Sequence, residues 1–131
     1  IKLCDFGLSE IFNKTSDRDN QFLSNKYCGK PIYKSPEINE KKKLFDARFN
    51  DIWCLGICLF MMIIGGAPWK KGIKNEESFN LIMNGEYIQL FKTWNRLDYV
   101  NDDIIDLFHK IFQCEHKRID LNGIKNHSWL R

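Results

Sequence analysis

The sequence predicts a mainly α-helical domain, because its longest patterned segments have helical rather than strand character. Positions 52–64 are apolar on every face and follow the polar pair Asn50-Asp51, as in a capped helix surrounded by protein. After Asn101, a helix cap candidate, apolar residues return at helical spacing through 104–112. The only strand signal is at the N-terminus. The central element of the core should therefore be the 52–64 helix.

Helix start and stop signals divide the rest of the second half. Gly65, Gly66 and Pro68 end the apolar helix. A second helix should start at Asn75-Glu76-Glu77, where acidic residues suit the positive end of the helix dipole, and stop at Asn84-Gly85. A short last helix is expected from Asp120 to about Asn126.

The first third of the chain has a different character. Residues 1–4 have the pattern of a strand already under way, so the chain looks like part of something longer. Ser9 to Lys43 is polar, contains two prolines and lacks periodicity, which predicts a long ordered loop. Loops of this length in a compact domain are usually functional.

Composition excludes several function classes. The 131 residues suit one domain, and a net charge of +3 from 20 basic and 17 acidic residues gives no polybasic arm for nucleic acid or membranes. The 52–64 run is shorter than the about 20 residues that span a bilayer, so no membrane span is expected. Five cysteines without paired metal-ligand spacing favour a reduced protein, cytoplasmic or otherwise intracellular, without structural zinc.

Four ordered motifs give the chain its chemistry. They are Cys4-Asp5-Phe6-Gly7-Leu8, then Cys28-Gly29-Lys30-Pro31-Ile32-Tyr33-Lys34-Ser35-Pro36-Glu37, then Asp51-Ile52-Trp53-Cys54-Leu55-Gly56, and finally Arg118 with His127-Ser128-Trp129-Leu130. In this order they resemble the C-terminal lobe of eukaryotic protein kinases, closest to the calcium/calmodulin-dependent-like Ser/Thr kinases. The resemblance covers essentially the whole chain. It implies a strand at 1–4, an activation segment at 5–37, a central helix at 51–64 and the remaining lobe helices at 75–131.

The resemblance implies a nucleotide and metal site at the first motif. Phosphoryl transfer needs a metal held by an anionic ligand, and Asp5 matches the Mg²⁺ ligand. Phe6 matches the aromatic residue that sets active and inactive states, Gly7 gives backbone freedom, and Cys4 should lie near the base of ATP or be a buried strand thiol. The implied cofactors of the intact kinase are ATP and Mg²⁺.

Two lysines depart from the family pattern in the activation segment. Lys26 replaces a phosphorylatable Thr, which puts activation by phosphorylation there in doubt and leaves Thr15, Ser16 and Ser24 as candidate sites. Lys30 replaces a Thr or Ser, and three roles stay open for it: an ion pair with the catalytic Asp, a substrate contact, or plain surface.

A protein substrate is the implied partner. The pocket for the residue after the target hydroxyl should involve Lys30, Pro31, Ile32 and Tyr33. The Ser35-Pro36-Glu37 sequence matches the Ser/Thr pattern rather than that of tyrosine kinases.

Three further residues are implied to be structural. Glu37 and Arg118 should form a buried ion pair, and Asp51 should anchor the catalytic-loop backbone. Cys58 and Met62 fall where the family packs apolar residues beneath adenine, although core packing alone would explain them.

The catalytic groups that precede the Asp-Phe-Gly motif in kinases are not in this sequence. They are the glycine-rich loop, the phosphate-binding Lys, the base Asp and a metal-binding Asn. We therefore expect this chain alone to be inactive, to need the missing N-terminal kinase lobe, and to self-associate. A pseudokinase scaffold is the main alternative, and a stand-alone helical interaction module is the weaker one.

Overall fold

The computed structural model describes residues 2–12 and 22–131, and it is mostly helical with one small sheet. The helices are α1 (Pro36–Asn39), α2 (Ala47–Ile64), α3 (Glu77–Met83), α4 (Tyr87–Thr93), α5 (Asp102–Ile111) and α6 (Leu121–Lys125). Single 3₁₀ turns lie at Phe6–Leu8, Pro31–Tyr33, Leu97–Tyr99, Glu115–Lys117 and Ser128–Leu130. The predicted mainly α class is confirmed.

The sheet consists of β1 (Leu23–Ser24) and β2 (Phe45–Asp46), which pair antiparallel with Leu23 opposite Asp46. The predicted strand at 1–4 does not appear in its described part, residues 2–4. A strand is stable only beside a partner, and within the described residues none lies next to this segment. The N-terminal segment is therefore exposed, irregular chain.

Helix α2 begins earlier than predicted. Asp46, not the Asn50-Asp51 pair, is its cap, because the Asp46 carboxylate accepts a hydrogen bond from the Arg48 N–H at 3.0 Å. The helix ends at Gly65, whose φ of 81° is a left-handed conformation that suits glycine. The end matches the predicted stop.

Only one face of α2 is buried. Trp53, Ile57 and Phe60 are fully enclosed, whereas Leu55 and Met62 on another face are largely exposed. The expectation that all faces are buried is therefore wrong for this chain. The helix includes five residues before the 52–64 run and is therefore longer than that run. By length and composition alone, it is the one helix among the described residues that could cross a membrane.

An aromatic cluster joins α2 to the other helices. Phe60 packs near Phe91 of α4 and Phe108 of α5, with ring centroids 5.8 and 5.2 Å apart. Trp53 lies 5.4 Å from Trp69, which follows α2. Aromatic residues bury large areas and dominate core energetics. The core thus lies between α2, α4 and α5.

The caps of the last two predicted helices are where the sequence placed them. Asn101 accepts from the Ile104 N–H at 3.0 Å, and Asp120 accepts from the Gly123 N–H at 2.7 Å. The C-terminal turn is fastened to α5, because His127 and Ser128 lie 3.0 and 2.7 Å from carboxylates of that helix. Helix α4 was not predicted.

Candidate functional site

The Asp5 region is an exposed turn. Asp5 has a left-handed backbone with φ of 63°, a conformation that aspartate tolerates better than most residues. The 3₁₀ turn Phe6–Leu8 follows, closed by the Ser9 N–H donating to the Phe6 carbonyl at 3.0 Å. The unusual backbone conformation is thus at Asp5 rather than at Gly7.

The side chains around Asp5 are exposed too. Phe6 is 67% exposed and Cys4 is exposed, so the expectation of a buried strand thiol at Cys4 does not hold. The Asp5 carboxylate makes no hydrogen bond or ion pair to the described residues. It lines a cavity of about 380 Å³ together with Asp51 and Lys26.

Asp51 lies on the first half of α2, and its side chain is exposed to solvent. Protein atoms around the carboxyl partly desolvate it and raise the pKa of Asp51 above its ordinary value, because loss of water contacts disfavours the charge. It has no hydrogen-bond or ion-pair partner in the described part of the chain. A partly desolvated carboxylate without a partner is suited to accept hydrogen bonds from backbone N–H groups brought to it.

The donor set at Asp5 fits Mg²⁺ only as a partial site. Among residues 2–12 and 22–131, no three His, Cys, Asp or Glu side chains come close enough to hold a metal ion. Mg²⁺ in nucleotide enzymes is commonly bound by one or two protein carboxylates and substrate phosphates. Asp5 can therefore supply one ligand, with the others coming from elsewhere.

Lys26 forms an ion pair that sequence reasoning did not anticipate. Its Nζ lies 2.8 Å from Oε1 of Glu10, and this contact lowers the pKa of the Glu10 carboxyl. The pair links the segment after Asp5 to the segment before Cys28. The only sequence signal was the lysine itself at a position where relatives carry a hydroxyl.

Of the three candidate phosphosites, only Ser24 lies among the described residues. Thr15 and Ser16 lie outside the described residues. Ser24 is buried in β1, and its hydroxyl accepts from the Lys26 N–H at 3.1 Å. Modification of Ser24 would require β1 to open.

The predicted substrate segment is a tight turn whose backbone carbonyls accept hydrogen bonds from core side chains. Lys30 and Pro31 are exposed, and Ile32 and Tyr33 are half-buried. The Ile32 carbonyl accepts from Trp69 Nε1 at 2.9 Å, and the Tyr33 carbonyl accepts from the Cys54 thiol at 3.3 Å. Burial, with smaller contributions from nearby charges, raises the pKa of Cys54 to about 12, so the thiol remains protonated and can donate.

Glu37 and Arg118 come together across 81 positions of sequence. Both side chains are buried and form two hydrogen bonds of 2.6 and 3.1 Å. Arg118 also donates to the carbonyls of Phe49 and Gln113, and its guanidinium lies 4.8 Å from the Trp53 ring centroid. With Nε bonded to Gln113 as well, all five donors of the guanidinium are used.

Cys58 and Met62 lie one turn apart on the exposed side of α2. Met62 is 74% exposed and Cys58 is exposed, so the simple explanation of core packing fails for both within this chain. Together with Leu55 they form an apolar surface that we call the exposed strip (Leu55, Cys58, Met62).

The chain is similar in sequence to known proteins. The model of the protein kinase domain matches residues 1–130. The chain is 28% identical to the serine/threonine-protein kinase CHK1 of Saccharomyces cerevisiae, over 99% of the chain and 24% of that protein. It is 30% identical to the serine/threonine-protein kinase HAL5 of Candida glabrata and 31% to the probable serine/threonine-protein kinase MARK-B of Dictyostelium discoideum. Each match covers 99% or more of the chain but 17% of the relative. The chain therefore spans a quarter or less of these three relatives, and it belongs to the protein kinase domain family.

Proposed function

We propose that this chain is the C-terminal lobe part of a Ser/Thr protein kinase, from the Mg²⁺-binding Asp5 onward. The parent would transfer the γ-phosphoryl group of ATP to Ser or Thr hydroxyls of protein substrates. The proposal includes the kinship with calcium/calmodulin-dependent-like kinases, an activation segment over 5–37 and an intracellular location. The observation that carries it is the family match through residues 1–130, which contains the Asp-Phe-Gly motif with an exposed, unpartnered Asp5 carboxylate.

Each motif residue has a proposed role in the parent kinase. Asp5 would hold Mg²⁺, which when bound neutralises developing negative charge on the phosphate oxygens. Phe6 and Cys4 would border the nucleotide, and the exposed strip would lie beneath adenine. The turn from Lys30 to Tyr33 would receive the substrate, supported by Trp69. Asp51 would accept hydrogen bonds from the catalytic-loop backbone.

The ion pair of Glu37 with Arg118 would have a structural role. It ties α1, which directly follows the substrate turn, to the loop after α5. A buried bidentate pair fixes both partners in one geometry. The turn at Lys30–Tyr33 would thus keep its position relative to the helical core.

The experiment that tests the enzyme proposal uses the full-length protein and labelled ATP. Asp5→Asn should lower phosphate transfer to Ser/Thr peptides by at least about a hundredfold, because it removes an anionic metal ligand while keeping its shape. Asp102→Asn, an exposed acid on α5, is the matched control and should leave the rate unchanged. Full activity of Asp5→Asn would contradict the proposed metal role.

A pseudokinase scaffold is the second candidate, favoured by the two unusual lysines. Lys26 is held by Glu10 where relatives carry a switchable hydroxyl, and Lys30 replaces another hydroxyl. If this alternative holds, the unaltered full-length protein transfers no phosphate, and Asp5→Asn leaves its partner binding unchanged. The 131-residue chain alone should be inactive under either proposal.

A further inference from the structure

Four lysines belong to two chain segments that meet at the Lys30–Tyr33 turn. Lys30 and Lys34 flank it in sequence, and Lys70 and Lys71 belong to the loop that follows Trp69. Lys30, Lys70 and Lys71 are exposed, and Lys34 is half-buried. We call these four residues the basic surface (Lys30, Lys34, Lys70, Lys71).

Hydrogen bonds hold the two parts of the basic surface against each other. Trp69 Nε1 donates to the Ile32 carbonyl at 2.9 Å. The Asn39 side-chain amide donates to the carbonyls of Lys34 and Gly72, at 3.4 and 3.1 Å. The 70–72 loop is thereby fixed beside the 30–34 turn, rather than meeting it by chance.

Lys34 is the half-buried member of the basic surface. Its ammonium has one protein partner within the described residues, the Tyr27 carbonyl at 3.4 Å, which is a long hydrogen bond. An ammonium has three donors, so this one contact leaves hydrogen-bonding capacity for an anion. The Lys34 ammonium can therefore donate hydrogen bonds to a carboxylate.

The nearby acids do not neutralise the other lysines. Glu76 uses its two oxygens to accept from the backbone N–H groups of Lys70 and Lys71, at 2.6 and 2.7 Å. Glu40 is paired with Lys74 at 3.3 Å. In the described part of the chain, none of the four side chains of the basic surface forms an ion pair. Glu77 lines the same cavity as Lys70 and Glu76. Four positive charges against Glu76 and Glu77 still leave this surface with a net positive charge.

We propose that the basic surface binds acidic side chains of a protein substrate, on the C-terminal side of the target hydroxyl, with Lys34 as the central contact and Lys30 beside it. This rests on the proposed function, which places the substrate at the Lys30–Tyr33 turn. Four cations around a single turn match a few carboxylates. A nucleic acid would instead be expected to need a longer basic stripe along its backbone.

The test measures binding and specificity in the full-length protein. Three fluorescein-labelled peptides share a central Ser followed by three aspartates, three alanines or three lysines, and fluorescence anisotropy gives each Kd. We expect the aspartate peptide to bind at least about tenfold tighter than the alanine peptide at low salt, and the difference to shrink as salt is added. Equal binding, or tighter binding of the lysine peptide, would overturn the proposal.

Two variants locate the site. Lys34→Met keeps the apolar stem and removes the charge, so it should abolish most of the preference; Lys125→Glu, on exposed α6, reverses a charge elsewhere and should preserve it. Retention of the preference in a folded Lys34→Met protein, checked by circular dichroism, would refute the assignment. So would tighter binding of a uridine oligonucleotide than of the aspartate peptide.

Phosphate transfer to the alanine peptide separates this inference from the proposed function. A protein that prefers the aspartate peptide but transfers no phosphate supports the basic surface and contradicts the kinase proposal. An active protein without the preference supports the kinase proposal and contradicts the basic surface.

Discussion

Arg118 shows how one side chain can connect distant parts of the chain. Its buried side chain donates to the Glu37 carboxylate in α1, the Phe49 carbonyl in α2 and the Gln113 carbonyl after α5. Arg118→Met should lower the free energy of unfolding by about 3–5 kcal/mol, because the Glu37 carboxylate would remain buried without its partner. Urea titration followed by tryptophan fluorescence measures this, since Trp53 lies beside the guanidinium.

An exposed ion pair provides the control. Lys42 lies 3.7 Å from Glu115 near the surface, so Lys42→Met should cost at most about 1 kcal/mol. The double variant Glu37→Gln/Arg118→Met should lose less than the two single losses combined, because neither charge is left alone. Additive losses would show that the pair is not the source of the effect.

Asp51 should oppose folding of this chain at neutral pH. Desolvation raises the pKa of Asp51, so the ionised form is less favourable folded than unfolded, and this penalty is relieved as the pH falls through the raised pKa. Asp51→Asn should therefore raise the urea midpoint at neutral pH, with the gain shrinking on acidification. In the full-length protein the same change should lower the proposed kinase activity if Asp51 anchors the catalytic loop.

Asp102→Asn is the matched control for this prediction. It removes a carboxylate from the first turn of α5, where negative charge favours the helix dipole, and should slightly lower the midpoint. A lower midpoint for Asp51→Asn at neutral pH would show that its carboxylate stabilises the chain.

At the level of elements, the contact of α2 with α5 depends on Gly56. A Cβ at this position would collide with the Ile111 side chain and approach the Phe112 ring to 3.2 Å. Gly56→Ala should lower the free energy of unfolding by about 1–3 kcal/mol through overpacking, despite alanine's better helix propensity. Gly66→Ala, where a Cβ would meet nothing within 4 Å, should be nearly neutral in the same urea titration. Equal stability of the two variants would contradict the tight crossing.

The sequence predicted the helix starts that depend on nearby residues, and it misplaced the start that depends on a distant residue. The caps Asn101 and Asp120 act within three residues of themselves, so the sequence was sufficient to place the starts of α5 and α6. The start of α2 was misplaced because Asp46 is positioned from far away, by the Glu115 carboxylate accepting from its N–H at 2.6 Å. Asn50, which was predicted to cap the helix, instead accepts a hydrogen bond from the Ser35 hydroxyl at 3.0 Å.

The missed helix α4 and the missed lysine contacts have similar causes. Tyr87, Leu90 and Phe91 are spaced for a buried helix face, but the Asn84-Gly85 signal directly before them predicted only the end of the preceding helix. The ion pair of Lys26 with Glu10 could not be predicted from either residue alone. Such a contact depends on how the chain between the two residues folds. The motif residues could be named from the sequence because their order along the chain is a one-dimensional signal, and the roles proposed for them stay predictions.

For the whole molecule, the distribution of apolar surface governs behaviour in solution. The exposed strip on α2 adds to exposed Leu3, Phe6 and Ile11 in the N-terminal segment. Contiguous exposed apolar patches on a soluble chain promote association. The isolated 131-residue chain should therefore self-associate at micromolar concentration, as measured by light scattering.

The strip itself can be tested by changing its polarity. Leu55→Glu/Met62→Glu should shift the isolated chain toward a monomer, because two charges on one α2 face make its burial between copies unfavourable. Ile88→Glu/Leu130→Glu places the same charges on exposed residues away from the strip and should leave association unchanged. Equal effects of the two pairs would mean that net charge, rather than the α2 face, controls association. A strip-specific effect would identify this α2 face as the surface through which copies of the chain associate, the same surface that is proposed to lie beneath adenine.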